Sequence, residues 1–203
     1  EQFPSLYPAN IWPKEVPELE SLTGPLYAYL GVIAYDVLLV LAKYIDLPAT
    51  HLSNLVDGAP HVMRPLYYPP SVGKRSNAPW GGEHVDINFL TILPPATAGG
   101  LKIRKRDGEW IDGTAPEGCI IAQVGDELQY ISCGRFLSAV HGVVEPEDCT
   151  HARQSIAFFL HARADAVLAP LSRYRGDENA KAYPPVLAGE FVEKRLRDIR
   201  LAQ

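Results

Sequence analysis

A chain of 203 residues, 47% apolar and 21% charged, has room for one domain with a substantial core and the composition of an ordinary globular protein. A net charge of −5, with no basic run and no interleaving of basic and aromatic residues, argues against a nucleic-acid partner. Three cysteines (Cys119, Cys133 and Cys149) are odd in number and lack C-x-x-C spacing, which argues against a disulfide framework.

In chain order, residues 1–17 hold Pro4, Pro8, Pro13 and Pro17 and read as an extended, irregular entry. The chain starts at Glu1 without a basic, apolar, small-residue leader pattern. No secretory signal is expected, the missing Met suggests an absent N-terminal part, and a cytoplasmic setting follows from the reduced cysteines. From about Pro17 to Ile45, Leu22, Leu26, Tyr29, Leu30, Ile33, Val37, Val40, Leu41 and Tyr44 recur at spacings of mostly three and four, which predicts a long helix. Residues 25–42 carry one charge, Asp36, and raise the question of a membrane span. Gly31, the polar positions within the run and the lack of a flanking basic cluster favour a buried helix, so no membrane partner is expected. A short helix follows over about 49–56, ended by Asp57-Gly58.

Beyond residue 61 the period changes. Strands are expected at Val62–Tyr68, about 84–93, Leu101–Lys105, Glu109–Ile111, Cys119–Val124, Glu127–Cys133, Phe136–Val144 and Gln154–Ala162. Asp107-Gly108 is a hairpin signal between two of them. Some eight short strands without helical intervals predict an antiparallel sandwich or barrel. Arg173–Ala182 reads as a mobile polar loop, and about 186–201 as a final helix with Val192, Leu196 and Ile199 on one face.

The chemistry centres on His84-Val85-Asp86. Along a strand, residues i and i+2 share a face, about 6–7 Å apart at Cα, so imidazole and carboxylate would lie side by side. A third ligand would complete a two-histidine, one-carboxylate triad with open positions for iron(II) chemistry. H-x-D alone is common by chance. His141, His151 and His161 are candidates for the third position. His141 is a lone polar residue in an apolar strand and needs a partner if it faces inward, although a satisfied core histidine is the commoner outcome. Further on, Arg153 and Ser155 share a face, and a guanidinium fork beside a hydroxyl suits a carboxylate, although an exposed arginine in a surface strand is the commoner outcome. Trp80, Phe89, Phe158 and Phe159 can line a pocket, but aromatic strand residues are usually core, and Cys119 and Cys133 read as small core residues.

The order H-x-D, His, R-x-S, together with Arg64–Pro69, Gly100-Leu101, Gly108–Ile111 and Gly125-Asp126, resembles the isopenicillin N synthase-like branch of the iron(II)/2-oxoglutarate-dependent dioxygenases. The resemblance runs over roughly residues 20–200. It implies a mainly β fold with flanking helices: a distorted double-stranded β-helix, or jelly roll, with a long N-terminal bracing helix and a C-terminal helix. It implies one oxygenase domain over 1–203, divided into a helical segment 1–60, a jelly-roll core 61–165 and a C-terminal loop and helix 166–203, with the family's N-terminal region largely missing. By the same resemblance His84, Asp86 and His141 would ligate Fe(II), and Arg153, Ser155 and Tyr68 would hold the cosubstrate 2-oxoglutarate. Oxygen and a small organic substrate would complete the reaction, an oxidation such as hydroxylation with release of succinate and CO2. Leu66 stands where many members have Asn, Gly142 where many have Arg, and the interval from His141 to Arg153 suggests an enlarged hairpin at Glu145–Thr150. An iron oxidase of the same fold that does not use 2-oxoglutarate and a non-catalytic jelly-roll binding protein remain as alternatives. The polar loop 71–80 is where substrate gating is expected.

Overall fold

The computed structural model describes residues 3–71, 78–146 and 150–199. Helix α1 spans Glu18–Tyr44, with Glu18 and Glu20 in its first turn and Lys43 in its last, the charge order that complements the helix dipole. Pro25 removes one hydrogen bond near the start, and the helix runs through it. At the other end Asp46 takes φ 54°. Asp46 N–H then reaches Lys43 O at 3.2 Å and Leu47 N–H reaches Ala42 O at 2.9 Å, the paired bonds that close a Schellman turn. The expected buried helix is buried on one face only. Leu30, Ala34, Leu38 and Ala42, four residues apart, sink into the core, while Leu22, Tyr29, Val32, Val40 and Tyr44 are exposed. By length and composition α1 could cross a membrane.

A short α2 (Ser53–Val56) leads to β1 (Val62–Tyr68), β2 (Gly81–His84), β3 (Leu90–Leu93), β4 (Leu101–Arg104), β5 (Trp110–Asp112) and β6 (Ile121–Val124). Then come α3 (Asp126–Ile131), β7 (His141–Val143), β8 (Arg153–Leu160), β9 (Val167–Leu168), β10 (Val186–Leu187) and α4 (Ala188–Asp198). Two four-stranded sheets, ordered β1-β8-β3-β6 and β2-β7-β4-β5, form the jelly roll, and β9 pairs with β10 apart from them. Every pairing is antiparallel. The hairpin expected at Asp107-Gly108 joins β4 to β5, with Gly108 at φ 90°.

Strand β8 has two dissimilar faces. Ile156, Phe158 and Leu160 point toward α1 and join Leu90, Ile92 and Phe89 in the main core. Arg153, Ser155, Ala157 and Phe159 alternate with them and line a cavity of about 420 Å³ on the other side. Burying Phe158 contributes about 1.5–3 kcal/mol, and the Tyr27 ring packs edge-on against it at 5.2 Å.

Several elements differ from expectation. The single strand over 84–93 is two, β2 and β3, with Val85–Phe89 outside either ladder. The segment Glu127–Cys133 is mostly helix α3: Leu128 and Ile131, three apart, both bury, and acidic Asp126 and Glu127 sit where the helix dipole favours them. Of Phe136–Val144 only His141–Val143 lies in a ladder; the residues before it connect α3 to β7, with Phe136 N–H donating to Ser132 Oγ and Ala139 N–H to Val124 O. The last helix starts at Ala188 because Val186 and Leu187 pair with β9. Residues 173–182, expected as a loop, contain two 3₁₀ turns, and Arg135 binds Asp177 at 2.6 Å beside them. Cys133 is buried but Cys119 is exposed, and Cys149 lies outside the described residues.

Beneath α1, a polar cluster is enclosed at the core's edge. Glu127 is fully buried, accepting Ala162 N–H at 2.7 Å, with His161 Nδ1 at 3.6 Å. Burial pushes its carboxyl up from the ordinary range, with His161 opposing. His61 accepts the His161 N–H at 3.2 Å, and burial, then His161, hold its pKa down at about 4, with Asp57 opposing. Between about 4 and 6.5 the unfolded chain therefore binds the proton that folded His61 refuses, and acidification costs stability in that window. Glu127, protonated more readily when folded, tilts the wild-type curve the other way above the carboxylate range. His61→Gln removes only the first effect. The variant should lose less melting temperature than wild type between pH 6.5 and pH 4, measured by thermal unfolding across that range; parallel curves would refute the assignment.

Candidate active site

His84 ends β2 and His141 opens β7, and the two are direct partners across the ladder, so both rings leave the sheet on one side. Their centroids are 4.3 Å apart. Asp86 comes from the irregular link after β2, not from the strand position expected, yet its Oδ1 lies 3.8 Å from Nε2 of each histidine. The side-chain ligand atoms of the three all lie within 4.8 Å of one another. Asp86 and His141 are buried, and His84 is half exposed at the cavity mouth.

The tautomers are set by the backbone. His84 Nδ1 lies 2.7 Å from Gly82 O, and His141 Nδ1 lies 2.9 Å from Ala139 O. With Nδ1–H donating to a carbonyl, the neutral form of each ring turns an Nε2 lone pair toward Asp86. Two lone pairs and a carboxylate oxygen converging in a partly buried site repel one another unless a cation sits among them. Two imidazoles and one carboxylate are also the donor set suited to a divalent transition metal, with the remaining positions left open. The residues therefore fit a ferrous ion.

The cavity continues along the β1-β8-β3-β6 sheet in cross-strand rows: Tyr68 opposite Arg153, Leu66 opposite Ser155, Arg64 opposite Ala157, then Phe159, Thr91 and Gln123 abreast. Arg153 is only 4% exposed. Its Nε donates to Gly99 O at 2.8 Å and its Nη1 to Ser155 Oγ at 3.0 Å. The guanidinium lies 5.2 Å from the Tyr68 ring, which itself stacks on Trp80 at 5.0 Å. Burial draws the Arg153 pKa down from its ordinary value, with Tyr68 opposing. Among the described residues no carboxylate pairs with this cation, so the cavity holds an enclosed positive charge complementary to an anion. Leu66 contributes an apolar surface where a polar contact is common in the resembled family.

Of the other candidates, His151 is exposed beside Thr150, and His161 faces Glu127 on the far side of the sheet. Trp80 and Phe159 line the cavity, whereas Phe89 and Phe158 are core. Residues 72–77 of the loop expected to gate the site, and 147–149 of the expected hairpin, lie outside the described residues. Sequence reasoning passed over Thr91 and Gln123. Thr91 Oγ1 donates to Asp86 Oδ2 at 2.6 Å. Gln123 is 3% exposed, lines the cavity, and has no hydrogen-bond partner for either amide atom among the described residues. Each is a polar residue alternating within an apolar strand, a sign visible in sequence but shared with many solvent-facing positions.

Similarity to known proteins agrees with this geometry. Residues 59–162 match the model of the 2OG-Fe(II) oxygenase superfamily. The chain is 32% identical over 193 residues to a 2-oxoglutarate-Fe(II) type oxidoreductase of Aspergillus fumigatus, covering 93% of this chain and 57% of that protein. It is 25% identical to a flavonol synthase/flavanone 3-hydroxylase of Arabidopsis thaliana, covering 98% of this chain and 58% of that one. A crystal structure of a 2OG-Fe(II) oxygenase family protein from Caulobacter crescentus superposes with a TM-score of 0.89 at 33% identity, over 98% of this chain and 65% of that one. A full-length Neurospora crassa protein, crystallised in complex with alpha-KG, superposes at 0.85 with 26% identity, over 94% of this chain and 62% of that one. The chain thus spans under two thirds of the length of these relatives. With the family motif residues set on the jelly roll and converging on one cavity, the chain belongs to the 2OG-Fe(II) oxygenase superfamily.

Proposed function

We propose that this chain carries the active site of an Fe(II)- and 2-oxoglutarate-dependent dioxygenase that oxidises, by hydroxylation, a small organic molecule. The observation that carries the reading is one cavity holding both a His84–Asp86–His141 donor set and the buried Arg153 cation, which has no protein carboxylate to pair with among the described residues. When bound, the iron and the keto acid supply the oxidising chemistry: O2 is consumed, 2-oxoglutarate becomes succinate and CO2, and the substrate gains one oxygen atom.

The residues divide the work. His84 and His141 present Nε2, and Asp86 presents Oδ1, as one face of ligands. Arg153 takes the far carboxylate of 2-oxoglutarate, aided by Ser155 Oγ and the Tyr68 hydroxyl, with Trp80 holding the Tyr68 ring in place. The enclosed apolar walls, Leu66 and Ala157 among them, keep water from competing for these groups. Gln123 offers an amide donor and acceptor to whatever lies beside Thr91. The 2-oxoglutarate named for the Aspergillus relative, and the alpha-KG bound in the Neurospora crystal structure, support that cosubstrate over an oxidase that dispenses with it.

Anaerobic protein loaded with Fe(II) should bind 2-oxoglutarate and, in air, release succinate even without substrate, at a slow uncoupled rate. Binding of Fe(II) without any succinate from 2-oxoglutarate would favour the oxidase alternative. Arg153→Ala removes charge-assisted hydrogen bonds of about 1.5–3 kcal/mol each, so 2-oxoglutarate affinity should fall at least ~10-fold while metal affinity holds. Unchanged 2-oxoglutarate affinity, by calorimetry, would refute the role of Arg153. His141→Ala should show the reverse pattern at the first step, with metal affinity lost in an equilibrium titration and the fold retained.

A further inference from the structure

Asp86 lies on no strand, so nothing in the sheet ladders holds it. The link Val85–Phe89 is anchored instead by the start of α3. Asp126 N–H donates to Asp86 O at 2.9 Å, Glu127 N–H to Asn88 O at 3.2 Å and Gly125 N–H to Phe89 O at 3.2 Å. The first N–H groups of a helix have no partner within it, and here they bind the segment that bears the carboxylate. The approach requires glycine at 125, because a Cβ there would collide with the Asn88 carbonyl oxygen.

The carboxylate is held a second time through its side chain. Thr91 Oγ1 donates to Asp86 Oδ2 at 2.6 Å, and both residues are buried. A hydroxyl has one proton to give. Its other acceptor within reach, Asn88 Oδ1, is farther at 3.3 Å, while Asn88 Nδ2 donates to Thr91 Oγ1 at 3.0 Å and to Leu90 O at 2.8 Å. Asn88 is 1% exposed, so no solvent competes for it. The chain of donors therefore runs one way, from Asn88 through Thr91 to Asp86.

We propose that Thr91, oriented by Asn88, is a positioning residue that engages Asp86 Oδ2 and leaves Oδ1 alone to face His84 and His141, making Asp86 a one-oxygen metal ligand. The inference rests on the iron-site reading above and adds to it. A carboxylate free to turn could offer both oxygens and fill a coordination position that a cosubstrate needs. A neutral hydroxyl donor prevents this without neutralising the carboxylate, as a cation or a proton would.

The test is an anaerobic titration of metal-free protein with Co(II), followed by calorimetry and by the visible spectrum, which responds to coordination number; no turnover is involved. Thr91→Val keeps the shape and deletes the hydroxyl, and should weaken Co(II) binding about 10–100-fold with an altered spectrum. Thr91→Ser restores the donor and should return both toward wild type. Wild-type affinity and spectrum in Thr91→Val would overturn the proposal. So would a Thr91→Ser variant as impaired as Thr91→Val, since packing alone would then explain the loss. If Thr91→Val does not fold by circular dichroism, Thr91→Ala takes its place with the same expectations. Failure of wild type to bind Co(II) at all would sink the iron-site reading itself, a result distinct from the others.

Discussion

Alternation along β8 is the constraint on which the rest of the molecule depends. Side chains of a strand point to opposite faces in turn, so one eight-residue segment must serve two environments at once. On one face Ile156, Phe158 and Leu160 close the core under α1, and on the other Arg153, Ser155, Ala157 and Phe159 floor the cavity. A slip of one residue in its register with β1 or β3 would bury Arg153 on the core face and turn Phe158 into the site. The apolar face therefore fixes the polar one. Packing energy under α1 is what lets an enclosed guanidinium stand without a protein carboxylate among the described residues.

The other sheet contributes less area and more chemistry. β2 and β7 are short, and their register brings His84 and His141 opposite each other. Each imidazole is oriented by a carbonyl two residues before it, a local device that needs no additional element. Asp86 has no such simple arrangement. It depends on α3, on the absence of a side chain at Gly125, and on the polar pair Thr91 and Asn88. The site is thus assembled from two sheets and a short helix, and the strength of each support differs: ladder pairing for the histidines, backbone donors and a buried hydroxyl for the carboxylate.

Much of this was legible in residue order. The helix over Glu18–Tyr44, the strands at Val62–Tyr68 and Leu101–Arg104, and the hairpin at Asp107-Gly108 have strong local signals, either a sustained period or turn chemistry. Where local signals conflicted, tertiary contacts won. Glu127–Ile131 alternates well enough for a strand, but Leu128 and Ile131 find the core only from helical spacing, and its first N–H groups have acceptors on the Asp86 link. The stretch 84–93 reads as one strand because its composition is uniform, while the chain must leave the ladder to bring Asp86 to the histidines.

By itself the sequence determined which chemical groups are present and their order: two imidazoles and a carboxylate, then an arginine and a serine two apart. Residue identity carries ligand type, and strand period carries the shared face of Arg153 and Ser155. Local pattern left His141, His151 and His161 open and the family resemblance pointed to His141; the tertiary structure supplies the physical reason, because His141 lies on the strand beside β2. It alone decided that Arg153 lacks a counter-ion among the described residues and that Thr91 faces Asp86. Partners separated by cross-strand pairing leave no trace in local periodicity, since the distance between them is set by the packing of the two sheets.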